Sequence, residues 1–136
     1  STIPVLICSE KFKEPQSYMV AFDGSKTAIN AIHMLAKSNL LKGLQGHIVM
    51  VGHHNEASKK SLSDAAAYLK AAGFSIDTHQ LLELDAVEGL LSFQFENNID
   101  IIVIGAYGRS KLQHLFLGST TTEIIASTLS PVILVR

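Results

Sequence analysis

The chain has 136 residues, 47% of them hydrophobic and 17% charged, with a formal net charge of −1. That is one domain large enough to bury a core, with no electrostatic footprint for nucleic acid and no apolar run near the ~20 residues of a membrane-spanning helix. The single cysteine, Cys8, excludes an internal disulfide and suits a reducing, cytoplasmic setting, as does a start without the basic n-region of a signal peptide.

Ile3-Pro4-Val5-Leu6-Ile7-Cys8 reads as a short strand, with Cys8 a small buried apolar group. It resembles the other end of the chain, Ser127-Thr128-Leu129-Ser130-Pro131-Val132-Ile133-Leu134-Val135, where Ser-Thr again precedes Pro-Val and a β-rich run. Residues 1–16 are therefore expected to hold a strand and a charged linker, the tail of an upstream copy of the same unit. Residues 17–136 form the domain proper. Tyr18 to Phe22 is the next strand and ends in Asp23-Gly24-Ser25. Ser25 can cap a helix whose apolar positions are Ala28, Ile29, Ile32, Leu35 and Ala36, with Gly43 at its exit. His47 to Val51 is a strand ending in Gly52-His53-His54.

A helix from about Glu56 to Ala72 follows, with Leu62, Ala65, Ala66 and Leu69 on one face and Gly73 as its stop. Phe74 to Leu82 contains a strand that alternates more and belongs near an edge. Asp85 and Glu88 make a capping-box pattern ahead of a helix presenting Val87, Leu90, Leu91 and Phe95. Residues 100–105 are the next strand, whose run Ile101-Ile102-Val103-Ile104 is wholly apolar and β-branched, the pattern of a parallel strand buried on both faces. A loop, a helix with Thr120 and Glu123 as a second capping box, and the strand Val132 to Val135 complete the chain. Strict alternation of strands and helices predicts an α/β fold, a parallel sheet covered by helices on both faces. Ligands bind such sheets outside the carboxyl ends of the strands, where strand order reverses.

Two strand ends carry chemistry suited to that crevice. One is Asp23-Gly24-Ser25. The other is Gly105-x2-Gly108-x9-Gly118-Ser119-Thr120. Gly105 and Gly108 would let backbone N–H groups approach a polyphosphate. Gly118 and Ser119 would open a helix whose unpaired N–H groups and dipole favour an anion. Arg109, Lys111 and His114 add positive charge between them. A glycine turn and a cap without a ligand would need no loop of this length, and long loops are usually functional.

Together these motifs resemble the ATP-binding branch of the universal stress protein family, over residues 17–136. The resemblance implies an open five-stranded parallel sheet in the order 3-2-1-4-5, a Rossmann-like nucleotide-binding fold. It also implies homodimers, or tandem copies, that pair through the last strand, Val132 to Val135. Carried over, Asp23 lies by the base and ribose, and Val51 offers backbone groups to the adenine edge. Gly105, Gly108 and Arg109 approach ribose and phosphates, and Gly118, Ser119 and Thr120 hold the phosphates. Gly52-His53-His54 replaces the acidic or polar residues often found there, and Leu115-Phe116-Leu117 makes the late loop unusually apolar.

The expected function is an adenine-nucleotide (ATP or AMP) binding, stress-response regulatory domain that acts by binding rather than turnover. Residues 105–122 contain no carboxylate. Asp23 is the one acid expected in the crevice and could hold Mg²⁺ only through water, which is thin support for catalysis. Slow ATP hydrolysis is the most that set could sustain. The alternative is a dimerisation module that uses no nucleotide. A substrate-adenylating enzyme ranks last, because Asp23-Gly24-Ser25 lacks the Ser-Gly-Gly-x-Asp-Ser loop of that chemistry. No His/Cys/Asp spacing suits zinc, and the six histidines read as surface or loop residues. Tyr107 is open between stacking on a base and packing.

Overall fold

The structure, a computed structural model, describes residues 5–7, 14–52, 54–82, 85–105 and 131–135. Its elements run β1 (Val5–Ile7), β2 (Ser17–Ala21), α1 (Lys26–Lys37), β3 (Gln45–Val51), α2 (Glu56–Ala71), β4 (Ser75–Leu81), α3 (Ala86–Glu96), β5 (Ile101–Gly105) and β6 (Val132–Val135). They form one sheet in the order β1-β6-β5-β2-β3-β4. Strands β2 to β6 are parallel to their neighbours, and β1 runs antiparallel to β6. With β1 set aside, the order is the expected 3-2-1-4-5, and β4 is an edge strand as its alternation suggested.

Side-chain alternation along the strands divides the core into two layers. Tyr18, Val20, Ile48, Met50, Ile101 and Val103 face α1 and α2. Met19, Ala21, Val49, Ile102 and Ile104 face α3. All five residues of β5 are buried, which accounts for its unbroken apolar run.

Each described helix begins on a side-chain cap, a device that contributes about 1 kcal/mol. Ser25 Oγ accepts from the Ala28 N–H at 3.2 Å, Asn55 Oδ1 from Ser58 at 2.8 Å, and Asp85 Oδ1 from Glu88 at 3.1 Å. Helix α2 ends as expected at Gly73, whose φ of 92° lets the Gly73 N–H reach Lys70 O and the Phe74 N–H reach Leu69 O. Two local expectations need correction. Helix α1 stops at Lys37 with Ser38 as its cap, so Gly43 (φ 99°) belongs to the turn before β3 rather than to the helix exit. On α3 the inward aromatic is Phe93, whereas Phe95 is 81% exposed. Val87, Leu90 and Phe93 follow a three-residue step, which places residue 95 on the opposite face.

The amino ends of β2 and β5 are tied by Asp100. Its Oδ2 accepts from the backbone N–H of Gln16 at 2.8 Å and of Ser17 at 3.2 Å, and from Ser17 Oγ at 3.4 Å. Next to this clamp Tyr18 is fully buried, its hydroxyl meets no partner among the described residues, and burial pushes its pKa up to about 12. Gly46 makes room for that ring, since a Cβ there would lie 2.7 Å from Ile76 Cδ1 and closer still to the phenol oxygen.

Candidate functional site

At the carboxyl edge of the sheet three expected site residues converge. The register sets Ala21 level with Val49 of β3 and Ile104 of β5, so the chain leaves β2 between those two strands. From β2 the connection through α1 leads to β3 on one side, while β5 lies on the other. This is the point where strand order reverses. Asp23 sits just past the end of β2, with Val51 and Gly105 closing the neighbouring strands.

Asp23 is held by its own turn. Its Oδ1 accepts from the Ser25 N–H at 2.9 Å, and Gly24, at a φ of 79°, takes the left-handed conformation that the turn requires. The other oxygen, Oδ2, is buried and meets no hydrogen-bond donor among the described residues. An unpartnered buried acceptor costs about 1–3 kcal/mol. A carboxylate oxygen in that state suits a donor from outside, such as a ribose hydroxyl or an amino group. It does not suit a phosphate, which it would repel.

Val51 contributes through its backbone. Val49 O accepts from the Phe22 N–H on the β2 side, whereas the Gly52 N–H donates to Leu81 O on the β4 side. Backbone groups of successive strand residues alternate in direction. The polar groups of Val51 therefore face the β2 side, beyond the last ladder residue of β2. Gly52 (φ 84°) then turns the chain away. The side chain of Val51 packs with the layer under α3.

Gly105 has a reason that spacing did not reveal. A Cβ at this position would lie 2.9 Å from Thr27 Cγ2 and 3.0 Å from Thr27 O. The glycine thus lets the first turn of α1, which carries the Asp23–Ser25 turn, settle against the end of β5. Gly108, Arg109, Gly118, Ser119 and Thr120, with Tyr107 and the Thr120/Glu123 cap, lie outside the described residues, as does Cys8.

Among the described residues no group of three or more His, Cys, Asp or Glu side chains is arranged to hold a metal ion. His33 and His54 are exposed, as expected, but His47 and His79 depart from the expected surface or loop positions. His47 Nδ1 and His79 Nε2 lie 3.0 Å apart on adjacent strands, half-buried, with both rings against Phe93. Burial lowers both pKa values; for His47 the His79 ring adds to this and Asp77 opposes it. The matching parity of residues 47 and 79 was the available signal. The pair sits on the α3 layer, away from the carboxyl edge.

The sequence model of the Universal stress protein family matches residues 48–136. The chain belongs to the universal stress protein family. It is 35% identical over 135 residues to Universal stress protein Slr1230 of Synechocystis sp., a match that spans 98% of this chain and 47% of that protein. The chain thus spans about half the length of this relative. Among solved structures, a universal stress protein in complex with cAMP superposes with a TM-score of 0.71 at 21% identity, over 91% of this chain and 98% of the other. The universal stress protein from Archaeoglobus fulgidus in complex with dAMP gives 0.66 at 21% identity, over 89% and 98%. At these identities the likeness establishes the universal stress protein fold and leaves the ligand to be argued from the residues.

Proposed function

We propose that this domain binds an adenine nucleotide at the carboxyl edge of its sheet and acts by binding rather than by turnover. The observation that carries the reading is the buried Oδ2 of Asp23, unpartnered among the described residues, at the strand-order reversal. A ribose hydroxyl or adenine amino group satisfies it, and the outward-turned backbone of Val51 pairs with the polar edge of the base. Gly105 ends the strand from which Gly108 and Arg109 reach the ribose and phosphates, and Gly118, Ser119 and Thr120 hold the phosphates. Family members solved with cAMP and dAMP support adenine as the base, and ATP or AMP is the expected ligand. With Asp23 committed to the ligand and to its own turn, a metal carboxylate and a base for water are both lacking from this set, and hydrolysis is slow or absent. Calorimetric titration of ATP into the protein and into Gly118→Asp and Ser119→Glu tests the assignment. Both substitutions place a negative charge at the phosphates and abolish binding; unchanged affinity in either sinks the phosphate site.

The second part of the reading concerns association. We propose that the unit pairs with another copy through β6, in tandem or as a homodimer. The antiparallel ladder on the outer side of β6 supports this, because that edge accepts a strand running opposite to the rest of the sheet.

A further inference from the structure

A pair of imidazoles lies away from the carboxyl edge, on the face of the sheet beneath α3. Strands β3 and β4 run parallel, with His47 level with Asp77 and Val49 level with His79. Residues two apart share a face of a sheet, so both histidines emerge on one side, a step apart along neighbouring strands. Phe93 of α3 walls the pair, its ring centre 5.7 Å from that of His47 and 4.6 Å from that of His79. Both rings are half-buried, so solvent still reaches them. Nδ1 of His47 and Nε2 of His79 meet at 3.0 Å, with ring centres 5.2 Å apart. Zinc holds imidazole nitrogens at about 2.05 Å; with ~1.15 Å from nitrogen to ring centre, two such ligands at the tetrahedral angle set their ring centres ~5.2 Å apart. Ligands at a right angle, as in a square-planar or tetragonal site, would need ~4.5 Å. The observed spacing is that of a tetrahedral ion. Burial, the main cause of their lowered pKa values, keeps both rings in the neutral form that ligates.

We propose that His47 and His79 form an exchangeable zinc site that staples the edge strand β4 to β3, with Phe93 as one wall and water as the remaining ligands. Binding needs only a tilt of each ring about its centre, which turns both lone pairs to one point and widens the N···N gap from 3.0 Å to ~3.3 Å. The proton of the present N–H···N bond moves to the other nitrogen of its ring, so both imidazoles stay neutral. Among the described residues no third His, Cys, Asp or Glu completes a ligand set. Two protein donors make an open site, unlike the four-ligand structural centres. Asp77, opposite His47, accepts from Gln45 Nε2 at 3.2 Å, and its negative charge acts on both rings without ligating. The site is independent of the nucleotide reading.

Calorimetric titration of ZnCl2 into the metal-free full chain tests this, alongside His47→Gln, His79→Gln and the controls His33→Gln and Asp23→Asn. The expected result is one zinc per chain in the parent and both controls, with a loss of affinity of about tenfold or more in each of the two site variants. Zinc at ten times its dissociation constant should also raise the Tm of the parent by about 3–6 °C, because it binds only the folded pair. Cobalt(II) gives a readout that depends on no variant: the tetrahedral ion absorbs strongly in the visible and the octahedral aquo ion weakly. Strong absorption that zinc abolishes supports the site, and weak absorption of the octahedral kind overturns the tetrahedral assignment. Zinc that does not bind the parent, or that binds His47→Gln and His79→Gln as tightly as the parent, overturns the proposal and leaves the pair a hydrogen bond only.

Discussion

Two carboxylates at opposite ends of the same central strands behave in opposite ways. At the amino edge, Oδ2 of Asp100 accepts from two backbone N–H groups and a hydroxyl, and it closes the starts of β2 and β5 onto each other. At the carboxyl edge, Oδ1 of Asp23 makes one bond within its own turn, and Oδ2 is buried with no donor among the described residues. The first arrangement spends its hydrogen-bonding capacity on the fold. The second keeps part of that capacity unspent where strand order reverses. The contrast separates the end of the sheet that stabilises the domain from the end proposed to take a ligand, and each prediction below removes one side of it.

Asp100→Ala should have the largest effect on stability, a loss of about 2–3 kcal/mol, because it removes the acceptor of three hydrogen bonds that tie β5 to the start of β2. Urea denaturation reads that loss, while ATP affinity stays unchanged. Gly105→Ala should cost about 1–3 kcal/mol by forcing a methyl group into Thr27. It should also weaken nucleotide binding, since the displaced turn of α1 carries Asp23. Tyr18→Phe, behind the amino-edge clamp, should be neutral or stabilising by up to about 1 kcal/mol, because the lost hydroxyl had no partner. The parent should also lose stability from pH 10 toward 12, where the unfolded chain releases the tyrosine proton before the folded one does, and the phenylalanine variant should lack this loss.

The smallest effect concerns His47 and His79. Their folded pKa values lie below the ordinary 6.5, so the unfolded chain takes up protons first as pH falls. The pair's contribution is fully present above pH 6.5 and is lost on acidification below it. Thermal melts between pH 7.5 and 5 should show a fall in Tm that is shallower in His79→Gln.

Much of this molecule was legible in its residues. The unbroken apolar run at Ile101–Gly105 indicated a strand buried on both faces. Strict alternation of elements indicated the parallel sheet, and the two Pro-Val runs indicated the strands Val5–Ile7 and Val132–Val135. Sequence falls short where a property depends on what lies across the sheet. Spacing says that Gly105 ends a strand, but only the packed fold brings Thr27 so close that a Cβ at this position would lie 2.9 Å from its Cγ2. Asp23 reads as an acid at a strand end, whereas no motif marks Asp100, and only three-dimensional placement gives Asp100 its donors from the start of β2. Phe93 and Phe95 are separated by a helical phase that the apolar composition of α3 obscures. His47 and His79 share a parity, but their meeting required β3 and β4 to be neighbours in register.

The most direct test of the central claim is calorimetric titration of ATP into the parent and Asp23→Asn, with Asp100→Ala as the control from the other edge. The asparagine keeps the turn-forming Oδ1 and replaces the unpartnered acceptor with a donor. A charge-assisted hydrogen bond of about 1.5–3 kcal/mol corresponds to a roughly 10- to 100-fold loss of affinity. The account predicts that loss in Asp23→Asn, near-parental affinity in Asp100→Ala, and little change in the stability of Asp23→Asn. ATP bound equally well by the parent and Asp23→Asn, or not bound by the parent at all, would contradict it.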